Sequence, residues 1–560
     1  MHWPFPPSSL RCYCARANKT SDMKNSPSFL PFNRPGLLKS RLFAAFSGIL
    51  LSTLLAGGPA RAATLQWQGT GATTATTDFN LNTNWQNGTL PGSSDIARFN
   101  NSTGTLNANI SSSITVGGID FGSGTHTVSS SVGQSLTLTS AAASGVGDAF
   151  HGFLAGQTVT VSADLVLAPT SGTVMNFDGN SATSNFIFSG NISETSATKI
   201  NLNTSGIFTF SGNNTFTGGV NAVNGGITVN VNSANALGTG TLQIGSGSVG
   251  TGHTVNNTSG SSVTVANAMS ILTTNAAPTI NFGGGSDLTI NGQVTLSNTS
   301  NVTDTFAVTN TLTLGGVVKN GLGANGLTKA GTGTLVLSGA NTYSGTTTVS
   351  TGTLLVNNTT GSGSGTGAVS VTGGATLGGT GTIKPTGANG ITVNGILAPG
   401  AGIGTLTLDL GSTSGTAAMT SGSSFKFELG TANASIGTIA AGSSDLLVLS
   451  GASANDFAFN LNNVDFLSTG QEGYYKLFDT SSDNANTWTG LTFDSISGVV
   501  SSGLTYSGLA GGLTGNFLVG TASNGGVTGD IYFHAVPEPA TWVLLAFSLT
   551  TVMVLRRRRV

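Results

Sequence analysis

Charged residues are scarce in this chain. Asp, Glu, Lys and Arg make up 7% of its 560 residues, against about 25% in an ordinary soluble domain. Thr, Ser and Asn must therefore provide most of the hydrated surface, which suits stacked strands because like hydroxyl and amide side chains can bond along a ladder. The mean hydropathy of +0.18 excludes a disordered chain, which would bury too little apolar surface to fold.

Basic residues are rarer still in the body of the chain. Between residues 63 and 555, seven bases face 20 acids, a net charge of −13. The seven are spread along the chain at Arg98, Lys199, Lys319, Lys329, Lys384, Lys426 and Lys476. A basic groove is therefore absent, and the sequence excludes a nucleic-acid partner.

Cysteine is nearly absent. Cys12 and Cys14 are the only two, and both lie in front of the predicted export cleavage point described next. The mature body therefore has no disulfide, no thiolate nucleophile and no cysteine metal site.

The first 62 residues have the pattern of a secretory signal peptide. Scattered basic residues precede the uncharged apolar run 42–58, and Pro59 is followed by Ala60-Arg61-Ala62-Ala63. A small-residue site of this kind predicts cleavage by signal peptidase between Ala62 and Ala63. The long positive stretch makes Met23 a possible true start, and a transmembrane anchor is the alternative.

The body is built from short alternating runs, and residues 327–358 show the unit most clearly. Apolar residues alternate in bursts of three or four, and glycines at Gly339, Gly345 and Gly352 separate the bursts, which is the pattern of brief strands turning corners. Such strands are stable only when copies stack on both sides. No stretch has helical periodicity with a cap at its start, so the sequence predicts an all-β solenoid with very little helix.

The unit occurs twice. Residues 206–230 align with 333–357 at a constant offset of 127, so that Asn214-Thr215-Phe216 meets Asn341-Thr342-Tyr343. Shared turns at shared spacing are an internal repeat.

These segments resemble the autotransporter-associated β-strand repeat, which occurs in exported bacterial passengers. The resemblance is strong over 327–358 and moderate over 206–230, and it implies a right-handed parallel β-helix. We assign the β-helix to residues 101–410. Residues 411–535 have longer, more aromatic strands, so we interpret them as final coils or a small β-sandwich cap.

Residues 63–100 hold two tryptophans, Trp67 and Trp85, in a chain that has five. Large aromatic side chains can plug the open first coil of a solenoid, so we predict an N-terminal cap. The alternative is that the two rings stack on sugars.

The last 25 residues have three parts. Pro537-Glu538-Pro539 is followed by the uncharged run 541–555 and then by four arginines, Arg556, Arg557, Arg558 and Arg559. The prolines keep the backbone extended, the apolar run predicts a transmembrane helix, and the arginines would hold its end at the cytoplasmic face.

This tail resembles the PEP-CTERM sorting signal, which extends over residues 536–560. The resemblance implies an exosortase-type processing enzyme as a partner and a transient anchor in the inner membrane. A permanent anchor is the alternative.

Catalytic motifs are missing. The mature chain has no nucleophile elbow, zinc-protease helix or phosphate loop. Its four histidines, His126, His151, His253 and His534, are widely spaced without ligand-like neighbours, so each is expected to be an ordinary turn or strand residue. We expect Asp95, Asp287 and Asp445, which sit where a turn enters a strand, to accept hydrogen bonds from their own turns. No cofactor or metal is predicted.

Two functions follow from these patterns. The first is an exported, non-catalytic protein of the outer surface or extracellular matrix of a diderm bacterium, with an adhesive or structural role and an extracellular polysaccharide or cell surface as partner. The alternative is a secreted β-helix enzyme that cleaves polysaccharides. Three or more acids gathered with an Arg or Lys in a groove would favour the enzyme.

Overall fold

The computed structural model describes residues 63–67, 77–99, 105–140, 148–245, 252–272, 278–297, 299, 301–411, 415–436, 443–451, 457–458, 460, 462–468, 470–480, 488–510 and 512–538. All of them belong to one compact unit, Pro59–Val560. The predicted signal peptide with Ala62, residue Pro539, the apolar run 541–555 and the arginines 556–559 lie outside the described residues.

The described chain is almost entirely β-structure. Its first strands are β1 (Thr64–Gln66), β2 (Thr77–Asp78), β3 (Ile96–Phe99), β4 (Thr105–Ile110), β5 (Ile114–Val116), β6 (Gly118–Phe121), β7 (Gly124–Ser130), β8 (Ser135–Leu138), β9 (Asp148–Gly152), β10 (Gln157–Val161), β11 (Asp164–Leu167), β12 (Val174–Asp178), β13 (Asn185–Phe188), β14 (Ile192–Glu194), β15 (Lys199–Leu202), β16 (Gly206–Phe210), β17 (Val220–Ala222) and β18 (Ile227–Val231). The middle strands are β19 (Leu242–Ile244), β20 (His253–Asn256), β21 (Val263–Val265), β22 (Met269–Ile271), β23 (Thr279–Gly283), β24 (Leu288–Ile290), β25 (Val294–Thr295), β26 (Thr303–Val308), β27 (Thr311–Leu314), β28 (Val318–Lys319), β29 (Gly326–Ala330), β30 (Thr334–Leu337), β31 (Thr347–Val349), β32 (Thr353–Val356), β33 (Val369–Val371), β34 (Thr376–Gly379) and β35 (Thr382–Ile383). The last strands are β36 (Ile391–Val393), β37 (Ile396–Pro399), β38 (Thr405–Gly411), β39 (Ala417–Met419), β40 (Ser424–Phe427), β41 (Leu446–Gly451), β42 (Phe457–Ala458), β43 (Asn462–Phe466), β44 (Gly473–Asp479), β45 (Trp488–Thr489), β46 (Thr492–Phe493), β47 (Val500–Ser502), β48 (Leu504–Ser507), β49 (Leu513–Val519) and β50 (Ile531–Pro537).

Successive strands turn corners and then pair with strands one coil further along. Sheet 1 joins β1, β3, β6, β9, β12, β15, β17, β19, β22, β25 and β28 in that order, and sheet 4 (β35, β38, β41, β44, β50, β49) follows it in the chain. Sheet 2 runs by parallel pairs from β2 through β4, β7 and β10 to β39, β42 and β45. Sheet 3 has two parts, β5-β8-β11-β14 and β21-β24-β27-β30-β32-β34-β37-β40-β43-β48. The architecture is that of a parallel β-helix.

The prediction of an all-β solenoid with very little helix is confirmed. In the described residues, helix is confined to two short 3-10 turns, Asn82–Asn84 and Gln86–Gly88. None of these residues forms a helix of the length and apolar character that a membrane span needs. The right hand of the solenoid stays a prediction.

Parallel pairing starts at β1, within the predicted cap 63–100, and continues past residue 410. It ends where β44, β50 and β49 pair in antiparallel fashion. Residues 411–535 therefore hold both further coils and an antiparallel sheet.

The core is a dry interior lined by stacked side chains. Rings from successive coils lie above one another: Phe186 and Phe208 are stacked with centroids 5.3 Å apart, and so are Phe188 and Phe210. Because each strand sends alternate residues inward, the alternation seen in the sequence becomes one continuous apolar column.

The first coil is plugged by aromatic side chains. Trp67 and Trp85 are 8% and 0% exposed, with ring centroids 4.9 Å apart, and Phe79 and Phe99 pack against them. Buried rings offer no face to a sugar, and the cap over residues 63–100 stays a prediction.

In each repeat, the side chain of one buried asparagine hydrogen-bonds to backbone groups in the coil before its own and in the coil after it. In the first, Asn214 accepts a hydrogen bond from the Ile192 N–H at 2.8 Å and donates to the Ala236 carbonyl at 2.6 Å. In the second, Asn341 accepts from the Val318 N–H at 2.7 Å and donates to the Gly363 carbonyl at 2.5 Å. Each asparagine satisfies the N–H of the first residue in the last strand of a sheet: Ile192 of β14, which ends the first part of sheet 3, and Val318 of β28, which ends sheet 1.

Candidate functional site

Charged side chains gather on the polar face of sheet 1 near its N-terminal end. Strand register places Arg98 of β3 beside Asp120 of β6, Asp120 beside His151 of β9, and His151 beside Asp178 of β12. Adjacent parallel strands lie about 4.8 Å apart, so four residues that are distant in sequence form one ladder. We name Arg98, Asp120, His151, Asp178 and the neighbouring Asp148 the charged ladder.

One end of the charged ladder is an ion pair. The Nε and Nη2 atoms of Arg98 donate to the Asp120 Oδ2 at 3.0 and 2.7 Å, and the Arg98 guanidinium lies 4.8 Å from the centre of the Phe153 ring. The Asp120 side chain is 7% exposed. A charge-assisted pair this close holds Asp120 in place.

His151 lies between the carboxylates. Its Nδ1 is 3.6 Å from the Asp120 Oδ1. Burial lowers the pKa of His151, but the Asp120 carboxylate and the charges of Asp148 and Asp178 outweigh burial, so the pKa is raised. The neighbouring carboxylates therefore favour the protonated imidazole.

Asp148 and Asp178 form a carboxyl pair. The register places Asp148 opposite Asn176, and the shift between Asn176 and Phe177 then places Asp178 opposite His151. Burial and the adjacent Asp178 raise the pKa of Asp148 to about 7, and burial also raises the pKa of Asp178. Two neighbouring buried carboxyls oppose each other's ionisation, so Asp148 and Asp178 titrate as a coupled pair.

An amide ladder leads into this pair. The Nδ2 of Asn221 donates to the Asn201 Oδ1 at 3.3 Å, and the Nδ2 of Asn201 donates to the Asn176 Oδ1 at 3.5 Å. Asn176 in turn hydrogen-bonds the Asp148 carboxyl, which lowers the pKa of Asp148. Three amide dipoles therefore point the same way and end on one carboxyl group.

The expectation that His151 lacks charged neighbours is wrong. Asp120, Asp148 and Asp178 come from three strands, and only the coil register shows that they meet. His126 and His253 are buried in their strands, and His534 stacks on Tyr474 with centroids 4.0 Å apart. The intervals between the ladder residues are irregular, so their spacing in the sequence does not signal the charged ladder.

The expectation for the turn aspartates is wrong in two of three cases. Asp95 does accept from Gly92 of its own turn, at 2.9 Å. Asp287 instead accepts from the Thr311 N–H one coil away, and Asp445 from the N–H groups of Gly404 and Glu428. In a solenoid the neighbouring coil is as close as the local turn, so a carboxylate can accept hydrogen bonds from the N–H groups of either one.

The predicted export residues fall at the ends of the described chain. The Ala63 N–H donates to the Asp95 Oδ1 at 3.0 Å. Pro537 is the last residue of β50, and the Glu538 N–H donates to the Gly512 carbonyl at 2.9 Å. Glu538 is exposed, so the Pro-Glu-Pro segment begins where the antiparallel sheet ends.

Within the described ranges, no three His, Cys, Asp or Glu side chains are grouped so that they could hold a metal ion. The charged ladder has three acids, one arginine and one histidine.

We expect the carboxyl pair to make the fold sensitive to pH. The pKa of Asp148 is raised from 3.8 to about 7 on folding, so the protonated form of Asp148 stabilises the fold. This stabilisation is complete below about pH 4, and it is lost as the pH rises through about 7. Asp148→Asn keeps the amide contact and donates permanently to Asp178. The variant should match the wild-type free energy of unfolding at pH 5 and exceed it by about 1 kcal/mol at pH 8, measured by denaturant titration.

The matched control is Asp494→Asn. Hydrogen bonds from Ser497 and Ile496 lower the pKa of Asp494, so its contribution is constant above about pH 4 and the variant should shift stability equally at about pH 6 and pH 8. A pH-independent effect of Asp148→Asn would contradict the coupled titration of Asp148 and Asp178.

Comparison with known proteins identifies the repeated unit. The family model described as "Passenger-associated-transport-repeat" matches residues 205–231 and 327–356. Two segments of the chain are therefore similar to this repeat. They coincide with the two aligned segments, and the passenger-associated repeats supply the buried Asn214 and Asn341.

No curated protein matches the chain. Among solved structures, the Haemophilus influenzae Hap adhesin is similar at 14% identity over 80% of this chain, with a TM-score of 0.24. The chain spans 64% of that adhesin's length. Similarity at this TM-score does not support a fold assignment. The parallel β-helix is shown by the strand pairing of this chain.

Proposed function

We propose that this protein is an exported, non-catalytic component of the outer surface or extracellular matrix, with an adhesive or structural role. The observation that carries the proposal is the pair of passenger-associated repeats set within a parallel β-helix. Stacked coils make a stiff polar surface at low charge, because each coil supplies hydrogen bonds to the next. An extracellular polysaccharide or a cell surface is the proposed partner.

We further propose that the tail directs this export. Signal peptidase would cut between Ala62 and Ala63, and an exosortase-type enzyme would act at Pro537-Glu538-Pro539 while residues 541–555 and the four arginines hold the chain in the inner membrane. The exposure of Glu538 at the end of β50 supports access by a processing enzyme.

The test is mass spectrometry of cell fractions from the producing bacterium. Protein recovered outside the inner membrane should begin at or near Ala63 and should lack the peptide with Arg556 to Arg559. Glu538→Ala should keep the full tail and remain in the inner membrane fraction. Asp494→Ala, an exposed acid remote from the tail in sequence, should be exported like wild type.

Recovery of the arginine peptide in secreted wild-type protein would overturn processing. Equal export of the Glu538→Ala variant would overturn the role of the motif. Neither result depends on which polymer the body meets.

Cleavage of a polysaccharide is the second candidate, because the charged ladder gathers three acids with an arginine. Glycosidases need one protonated and one ionised carboxyl about 5 to 10 Å apart. Here burial raises the pKa of both Asp148 and Asp178, and Asp120 is held by Arg98. This geometry favours a non-catalytic surface. Release of reducing sugar ends by wild type, lost in Asp178→Ala, would reverse that preference.

A further inference from the structure

A lysine is clamped between two aspartates near the C-terminal end of the described chain. The Lys476 Nζ is 2.6 Å from the Asp530 Oδ2 and 2.9 Å from the Asp479 Oδ2. The Asp530 side chain is fully buried, and the side chains of Lys476 and Asp479 are 14% and 16% exposed. We name these three residues the Lys–Asp–Asp cluster.

The cluster joins two strands that are far apart in sequence. Lys476 and Asp479 lie on β44, and Asp530 immediately precedes β50, which pairs with β44 in antiparallel fashion. A bulge between Lys476 and Phe478 accompanies this arrangement. The flanking residues Tyr475, Leu477, Phe478 and Ile531 are 0% exposed, so water has little access.

Hydrogen-bond donors surround both oxygens of the Asp530 carboxyl group, as they would surround a carboxyl group that is attacked by a nucleophile. Its Oδ1 accepts hydrogen bonds from the Thr480 N–H at 2.8 Å and the Thr480 hydroxyl at 3.3 Å. Its Oδ2 accepts from the Tyr532 hydroxyl at 3.2 Å. Donors aimed at a carboxyl oxygen stabilise negative charge that develops there during attack on the carbon.

We propose that Lys476 and Asp530 condense into an intramolecular isopeptide bond. The ammonium of Lys476 and the carboxylate of Asp530 would yield one amide and one water molecule, with no oxidant or further reactant. The cluster supplies a nucleophile, an electrophile and a second carboxylate for proton transfer, all within contact distance. This inference does not depend on the proposed function.

The condensation begins with a proton transfer inside the cluster. One proton moves from the Lys476 ammonium to Asp530, which makes the amine neutral and the carboxyl group uncharged. The Nζ lone pair then attacks Cγ, the C–N bond forms, and charge develops on Oδ1 against the Thr480 donors. Asp479 takes a proton from the nitrogen and passes it to Oδ2 as the Cγ–Oδ2 bond breaks and water leaves, so Asp479 ends as it began.

The charge states agree with these roles. Burial lowers the pKa of Lys476, but the two carboxylates outweigh it and raise the pKa overall. Lys476 therefore starts as an ammonium, and the proposed reaction needs the proton transfer to Asp530 to form the neutral amine. Burial raises the pKa of Tyr532, so its hydroxyl stays protonated and can donate to the leaving oxygen.

The chain contains a matched control. The Lys384 Nζ also lies 2.6 Å from an aspartate, the Asp409 Oδ2, but its side chain is 49% exposed. If distance alone were sufficient, both pairs would condense. If burial and a second carboxylate are required, only Lys476 should react.

The experiment is a peptide map of the full chain by mass spectrometry after denaturation and proteolysis. Wild type should give one cross-linked species that contains Lys476 and Asp530, lighter by one water than its two parts, whereas Lys384 and Asp409 should be unlinked. Lys476→Arg should lose the cross-link, and so should Asp479→Asn, which keeps Lys476 and Asp530 but removes the proton carrier.

Unlinked Lys476 and Asp530 in folded wild type would overturn the proposal, and this result needs no variant to fold. A cross-link that persists in Asp479→Asn would overturn the role of Asp479. Linkage at both lysine pairs would overturn the requirement for burial.

Discussion

Asn341→Ala is expected to lower the free energy of unfolding by about 2–4 kcal/mol. The side chain accepts from the Val318 N–H and donates to the Gly363 carbonyl, and Asn341 is 3% exposed. Alanine would leave a buried donor and a buried acceptor without partners in two different coils. Equilibrium denaturation of wild type and variant measures the difference.

The first repeat offers both a replicate and a control. Asn214→Ala removes the equivalent bridge and should cost a similar amount. Asn213→Ala changes an exposed neighbour to the residue that the second repeat has at the aligned position, Ala340, and should cost about 0.5 kcal/mol or less. Equal costs for Asn213 and Asn214 would contradict a role for burial and bridging.

Gly345→Ala is expected to be at least as damaging, at about 3 kcal/mol or more. A Cβ at this position would lie 2.4 Å from the Asn325 carbonyl carbon and 2.4 Å from the Gly326 nitrogen. Both atoms are backbone of the preceding coil and cannot rotate away. The stack would have to open locally, and loss of the cooperative thermal transition at its wild-type temperature would report it.

Gly218, the aligned glycine of the first repeat, is equally crowded, because a Cβ there would lie 2.2 and 2.3 Å from the carbonyl carbon and oxygen of Thr198. Gly373 is the control, because it is exposed and a Cβ there would find its nearest neighbour at 3.8 Å. Gly373→Ala should change stability by about 0.5 kcal/mol. A similar loss at Gly345 and Gly373 would mean that coil contact is not what requires glycine.

Asn341 and Gly345 show which features of the fold the local sequence could predict and which it could not. The shared Asn and Gly of the two repeats were visible as an offset of 127, but their partners were not. Asn341 contacts residues 22 and 23 positions away, and such distances depend on the length of each coil. Coil length varies, since Ile200 pairs with Val220, whereas Leu242 pairs with Met269.

The charged ladder was missed for the same reason. Asp120 and His151 are separated by an irregular interval, and a bulge in β9 shifts the register by one residue before His151 meets Asp178. A shift of one residue moves a side chain to the other face of a strand. Acids that looked scattered along the chain are therefore neighbours on one face.

The Lys–Asp–Asp cluster depends on strand pairing of another kind. Lys476 and Asp479 lie three residues apart on β44, and nothing in that spacing indicates a third partner. Asp530 reaches them because β50 returns antiparallel to β44. No repeat pattern in the sequence indicates that change of direction.

The sequence by itself determined the strand-rich character, the repeated corner unit and the low charge of this protein, because alternation, glycine spacing and composition act over a few residues. Only the tertiary structure decided which side chains meet. In a solenoid every contact between coils joins residues roughly 20 or more positions apart, and the insertion of a single residue in a turn or bulge reassigns all of them.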